Sequence, residues 1–191
     1  GNVYSVGSGG CHIRKVTPNR VTSVFAGLSV CGYLDGERSV AQFSTISSIV
    51  IDAHDNFYVA DRGNYVIRKI NMAGVVSTLA GKAGVAGSLD GLNQEKRSAL
   101  ATNMTTEGML DGLGEEARFL WPLNLAMDRS GTVYVGDGYH VLRKVSSKGE
   151  VSRVSCKDEM GRDVIFFSGL SSMVTDDKGN VWLYEISSQG I

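Results

Sequence analysis

Three aspartates stand at equivalent places in the sequence, each closing an apolar stretch: Ile46-Ser-Ser-Ile-Val-Ile-Asp52, Leu123-Asn-Leu-Ala-Met-Asp128 and Leu170-Ser-Ser-Met-Val-Thr-Asp176. Two more, Asp61 and Asp137, close segments that follow the first two. With His12, His54 and His140, these carboxylates could supply oxygen and nitrogen ligands to a divalent metal. The more economical reading makes all five aspartates structural, capping tight turns through backbone amides. No metal or cofactor is then expected. Arg14-Lys15, Arg68-Lys69 and Arg143-Lys144 form a basic ladder that could hold phosphate or RNA. Against this, Lys and Arg alternating outward on a strand would pair with neighbouring carboxylates, and no aromatic residues interleave with them. Gly7-Ser-Gly-Gly10 is a weak phosphate signal. The sequence contains no GxSxG, Walker loop, HExxH or paired general acid and base.

Composition narrows the classes further. The chain has 191 residues, 42% of them hydrophobic and 20% charged, which supports a folded core. Its formal net charge of −1 gives no electrostatic case for nucleic acid or an anionic membrane. No apolar run is long enough to span a bilayer. Cys11, Cys31 and Cys156 show no CxxC pair or metal-ligand spacing and read as buried or incidental thiols, with a single bridge left open. Gly1 falls inside a strand pattern and Ser187–Ile191 inside a repeat, so the chain reads as part of something longer, and its compartment is not indicated.

The elements that must position these residues are repeats. Each unit has an apolar segment ending in Asp, then a turn such as Ala53-His-Asp-Asn56, Arg129-Ser-Gly131 or Asp177-Lys-Gly-Asn180. A β-branched, aromatic segment follows: Phe57-Tyr-Val-Ala60, Val133-Tyr-Val135 and Val181-Trp-Leu-Tyr184. A third contains Val66-Ile-Arg-Lys-Ile70 or Val141-Leu-Arg-Lys-Val145, and a fourth is Val21–Phe25, Val75–Leu79 or Val151–Val154. Ile67 and Lys69 alternate with Val66, Arg68 and Ile70, as on a strand. Short strands separated by turn residues predict a four-stranded antiparallel sheet per unit, as in a propeller blade. Tyr58, Tyr134 and Trp182, at one equivalent position, are expected to pack in the core or between blades.

The best copy, Ile49-Val-Ile-Asp52 through Asp61, Asn64, Ile67-Arg-Lys69 and Val76-Ser-Thr-Leu-Ala-Gly81, resembles the NHL repeat. Its linking element is Leu34-Asp-Gly36 through Ala41-Gln-Phe43, seen again as Leu110-Asp-Gly112 through Ala117-Arg-Phe119. Gly7 stands where Asp61 and Asp137 stand in other copies, and Glu185 replaces that residue in the last. The resemblance implies an all-β fold, a β-propeller of four-stranded antiparallel blades, six-bladed when complete. The segments here number about thirteen, so residues 1–191 are expected to form a partial propeller of about three to four blades, needing further chain or a partner to close. It further implies a non-catalytic protein-interaction scaffold, with protein partners that could complete the ring. The alternatives are a metal-dependent lyase or lactonase-type enzyme with its ligands partly in missing blades, or an RNA-binding NHL domain.

The aligned aromatics are unevenly spaced: 54 residues from Tyr4 to Tyr58, 76 to Tyr134 and 48 to Trp182. The excess forms an irregular insertion at about 82–112, where Gly87-Ser-Leu-Asp-Gly91 and Gly108-Met-Leu-Asp-Gly112 duplicate the Asp-Gly linker. A tolerated surface loop explains it, with a short helical turn over Leu92–Ala101. As a partner-binding lobe it would present Leu89, Asp90, Leu92, Glu95, Lys96, Arg97, Met104 and Met109. Asn103-Met-Thr105 is a glycosylation sequon, meaningful only in a secreted chain.

Overall fold

β-branched and aromatic residues cluster in stretches of four to six residues bounded by turn residues, and such stretches are stable only when paired edge to edge. In the computed structural model, which describes residues 1–87, 110–138, 141–162 and 170–185, they pair antiparallel throughout. The first unit joins β1 (Val3–Val6), β2 (His12–Val16) and β3 (Thr22–Gly27) in sequence order. The second holds β4 (Gly36–Glu37), β5 (Ile46–Ile51), β6 (Phe57–Asp61), β7 (Val66–Ile70) and β8 (Val75–Ala80). The third repeats it with β9 (Gly112–Leu113), β10 (Pro122–Met127), β11 (Val133–Asp137), β12 (Val141–Val145) and β13 (Glu150–Arg153). β14 (Leu170–Thr175) and β15 (Val181–Glu185) form the fourth. Among the described residues there are three short 3₁₀ turns and no α-helix.

Thirteen of these strands are the ones predicted. The other two, β4 and β9, come from the Asp-Gly linkers. Each pairs with the last strand of the unit it precedes, giving the orders β4-β8-β7-β6-β5 and β9-β13-β12-β11-β10. The linker therefore reaches the outer edge of the next unit before the chain crosses to its first strand.

The sheets stack face to face and bury three cores. Ile13 and Ala26 of the first unit meet Phe57, Val59, Ile70 and Val76 of the second, with linker residues Ala41 and Phe43 between them. Tyr58, Ala60 and Ile67 meet Leu125, Val133 and Val135 around Ala117 and Phe119 of the next linker. Ala126 and Leu142 meet Met173. First strands lie next to one another: Ser47 Oγ of β5 donates to the Pro122 carbonyl at 2.7 Å, and the Leu125 amide of β10 donates to Ser48 Oγ at 3.1 Å.

Two expectations need correction. Cys11 and Cys31 are bonded to each other, their Cα atoms 4.8 Å apart, because the 3₁₀ turn Ser8–Gly10 and the loop after β3 converge. Only Cys156 is a free thiol, and burial raises its pKa. Trp182, expected in a packed position like Tyr58, is 61% exposed where Tyr58 is 2% exposed. Tyr58 is covered by the third unit; no sheet among the described residues covers the corresponding face of the fourth.

Candidate functional site

The basic ladder is where sequence and structure part most clearly. Arg68 and Arg143 do not alternate outward: they are 0% and 1% exposed, among the largest buried side chains in the fold. A buried guanidinium must have its donors satisfied and its charge compensated, and the repeat supplies both. Arg68 Nε donates to Asp35 Oδ1 at 3.0 Å, Nη1 to Asp61 Oδ2 and the Gln42 carbonyl at 3.0 Å each, and Nη2 to the Leu34 carbonyl at 2.8 Å. Its plane lies over the Phe43 ring, 5.0 Å from the centroid. Arg143 repeats this with Asp137, Asp111 and the carbonyls of Leu110 and Arg118, over the Phe119 ring at 4.7 Å. The Leu-Asp-Gly-x4-Ala-x-Phe linker is thus a cage for an arginine that lies 33 residues after its Asp in one unit and 32 in the other.

Asp61 and Asp137, predicted to cap turns, have a different task. Each is fully buried and accepts the amide of a residue 16 to 17 positions earlier: Ser44 at 2.8 Å for Asp61, and Leu120 and Trp121 at 2.9 Å for Asp137. They fasten the incoming linker to the sheet. Burial pushes both carboxyls above the ordinary range, against the pull of Asn64, the Ser44 amide and Arg68 on Asp61, and of Arg143 and two amides on Asp137.

Asp52, Asp128 and Asp176 sit in the turns after β5, β10 and β14. Asp52 Oδ1 accepts the amides of His54 and Asn56 at 2.8 and 2.9 Å, and its Oδ2 accepts Asn56 Nδ2 at 2.8 Å. The aromatic six residues on also donates to it, as Tyr58, Tyr134 and Trp182 do to Asp52, Asp128 and Asp176 at 3.3, 3.4 and 3.1 Å. Burial raises the Asp52 and Asp128 carboxyls, but these hydrogen bonds outweigh it and leave both below the ordinary value. The side chain and amide of Asn180 take Asp176 down to about 2.

In the first unit the arrangement changes. Gly7 occupies the place of Asp61, and a Cβ there would lie 2.2 Å from Nε2 of His12. The buried imidazole thus takes the space of the missing carboxylate. Arg14 Nε donates to His12 Nε2 at 3.4 Å, and Arg14 has no carboxylate partner among the described residues. His12 Nδ1 is buried without a hydrogen bond. Beside the pair opens a cavity of about 630 Å³, whose lining includes Arg14, Lys15 and Arg38 and no acidic residue.

No group of three or more His, Cys, Asp or Glu among the described residues is placed to hold a metal ion. His54 lies in the Asp52 turn, while His140 lies outside the described residues. So do Leu89, Asp90, Leu92, Glu95, Lys96, Arg97, Met104 and Met109, together with the sequon and the predicted helical turn. The ends of that insertion are described and converge: the Gly87 amide donates to the Phe119 carbonyl at 2.6 Å, and the Arg118 amide to that of Leu110 at 3.0 Å. Large apolar side chains stand exposed at both ends of the stack, Val3 and Val24 on the first unit and Val174, Trp182 and Tyr184 on the fourth.

No protein-family model matches the chain, and no curated protein matches its sequence. Solved structures do. A structural-genomics protein of unknown function from Bacteroides thetaiotaomicron is similar over 95% of this chain and 41% of its own, at 21% identity and a TM-score of 0.65. An auxiliary nutrient binding protein from Bacteroides ovatus is similar over 82% of this chain and 35% of its own, at 20% identity and a TM-score of 0.51. Virginiamycin B lyase from Staphylococcus aureus, a propeller-type protein, aligns at 9% identity and a TM-score of 0.42, too distant to bear on chemistry. The likeness is one of fold alone, and this chain spans less than half the length of the first two proteins.

Proposed function

We propose that this chain is a partial β-propeller of the NHL type, working as a non-catalytic protein-interaction scaffold. One observation carries the reading: in the second and third units the strand arginine and the aspartate at the end of the second strand are consumed in fastening the linkers, while the first and last described sheets present apolar side chains to solvent. Arg68, Arg143, Asp61 and Asp137 are all buried and bonded within the fold, so they are spent as phosphate or substrate contacts. Val3 and Val24 at one end, and Val174, Trp182 and Tyr184 at the other, are 57–64% exposed. Apolar faces of this kind favour association with another polypeptide. The insertion at about 82–112 is a second contact surface in this proposal, supported by its sequence and by its anchored ends.

The test is affinity capture with the tagged chain, compared with Trp182→Asp, Val24→Asp and a form lacking residues 88–107. Folding of each variant is checked by circular dichroism. A polypeptide recovered at fixed stoichiometry by the parent and lost with one variant supports the scaffold. Equal recovery by all forms, or a stoichiometric metal with turnover that depends on it, would overturn it.

A further inference from the structure

The turn between β6 and β7 and the turn between β1 and β2 occupy the same place in their units but are held by different means. In the second unit, side chains fix the turn Arg62–Asn64. Asn64 Nδ2 donates to Asp61 Oδ2 at 2.8 Å and to the Gly32 carbonyl at 2.9 Å, and the Gly63 amide donates to the Ser44 carbonyl at 2.7 Å. The loop that leaves this unit is tied back to the turn by the Gly84 amide, which donates to the Asn64 carbonyl at 3.3 Å. The first unit has neither device. Gly7 stands in the place of Asp61 and Gly10 in that of Asn64, and no backbone hydrogen bond joins the turn to the loop at 28–32. With glycine at positions 7, 9 and 10, this turn loses more conformational freedom on ordering than any other sequence would, and needs an outside constraint.

The bond between Cys11 and Cys31 supplies that constraint. Registers place Cys11 where Tyr65 stands, since Ile13 lies opposite Ala26 as Ile67 lies opposite Ala80. The bond therefore joins the glycine turn to the loop that leaves its own unit. Its two sulfurs are unequally placed: Cys11 is 3% exposed, whereas Cys31 belongs to an exposed stretch of the loop. The matching loop of the second unit lies between two complete sheets and still keeps Lys82 and Gly84 exposed, so this surface does not hinge on how many units are present. A cystine with one sulfur open to solvent is reachable by a thiolate and exchanges readily. Beyond Cys31 the chain is held without it. Tyr33 Oη and Thr78 Oγ1 share a hydrogen bond at 2.8 Å, and the Leu34 carbonyl and Asp35 hold Arg68. Opening the bond frees the turn and the loop at 28–31 and leaves the Arg68 cage closed.

We infer that Cys11–Cys31 is a redox clamp on the first unit, closed in an oxidising compartment and opened by a dithiol reductant. A thiolate of the reductant attacks Cys31 Sγ, the S–S bond breaks, and Cys11 leaves as a thiolate that takes up a proton. The second thiolate of the reductant then attacks its own sulfur in the mixed disulfide and releases Cys31, which is protonated in turn. The protein gains two electrons and two protons, and the dithiol becomes a disulfide. This inference is independent of the scaffold reading, and either can fail alone.

The test uses the intact chain, purified without reductant. Peptide mapping should find Cys11 joined to Cys31, and both thiols should become titratable on adding reduced dithiothreitol. Amide exchange is then read residue by residue by NMR. The sensors are Gly7 and Gly10, whose amides donate to the His12 and Gly7 carbonyls; the controls are Gly63 and Gly81, whose amides donate to those of Ser44 and Gly114. In the reduced protein the sensors should exchange at least about tenfold faster while the controls keep their rates. Cys31→Ser, at an exposed position, should show the fast rates without reductant. Oxidised dithiothreitol should restore the slow rates in the parent and not in the variant. Another pairing, free thiols at Cys11 and Cys31 in the oxidised protein, or unchanged sensors would overturn the inference. So would an equal rise in sensors and controls, because the bond would then be a general stabiliser and not a local clamp.

Discussion

In the second and third units a single arginine fastens the incoming linker to the sheet, and its environment dictates what happens when it is removed. Arg68→Met keeps the length of the stem but leaves Asp61 as a buried carboxylate without its cation, a loss of about 3–5 kcal/mol. Urea unfolding of the variant should show it, whereas Arg14→Met, at an exposed site, should unfold like the parent chain. The turn aspartates govern acid behaviour. Asp176 is held at about 2 by Asn180, below the unfolded value near 3.8, and Asp52 and Asp128 are lowered too. A lowered carboxyl binds its proton more readily in the unfolded chain, so its stabilisation is complete above about pH 4 and is lost as pH falls towards 2. Raised Asp61 and Asp137 contribute with the opposite sign. Unfolding midpoints measured from pH 5 to 2 should fall less steeply for Asp176→Asn than for the parent. The turn aspartates were legible in the sequence because their partners lie two to six residues away. Arg68 was not, because its cage comes from a segment 25 or more residues away in sequence and nothing local distinguishes a buried arginine from a solvated one.

Strands were legible where short β-branched and aromatic runs are bounded by turn residues, a signal that survives even though β6 and β7 are buried on both faces. β4 and β9 escaped because two residues, one of them glycine, carry no period; their pairing is set by the Asp beside them. The turn into each linker is equally demanding. Gly81 has φ +95°, and a Cβ there would lie 2.6 Å from the Tyr65 carbonyl oxygen. Gly27 has φ +89° and meets the Cys11 carbonyl at 2.7 Å in the same way. Both donate their amide to the linker behind them, to Gly114 and Arg38 respectively. Gly81→Ala should therefore lower stability by about 1–3 kcal/mol, read as a shifted urea midpoint with an unchanged slope. The bond between Cys11 and Cys31 lies beyond sequence reasoning for another reason: three cysteines allow three pairings, and only the convergence of two loops chooses among them.

At the scale of the whole molecule, the stack has two unlike ends. Among the described residues, one carries Arg14 beside an outer strand, β3, with no strand paired beyond it, and the other carries Trp182 and Tyr184 on the pair β14–β15. The repeat and its all-β character could be read from the chain, but which surfaces stay uncovered follows from how many sheets are present to cover them. The linker strands also impose an order on assembly. Asp35 emerges from the ribosome 43 residues before the Thr78 amide that it accepts, and Asp111 emerges 42 residues before that of Arg153. Each unit is thus begun at its outer edge and finished there, with three strands laid down in between. During synthesis no unit can lock until its last strand has been made, so a ribosome that stalls inside β7 leaves the Asp-Gly segment exposed and free to seize an arginine on another chain.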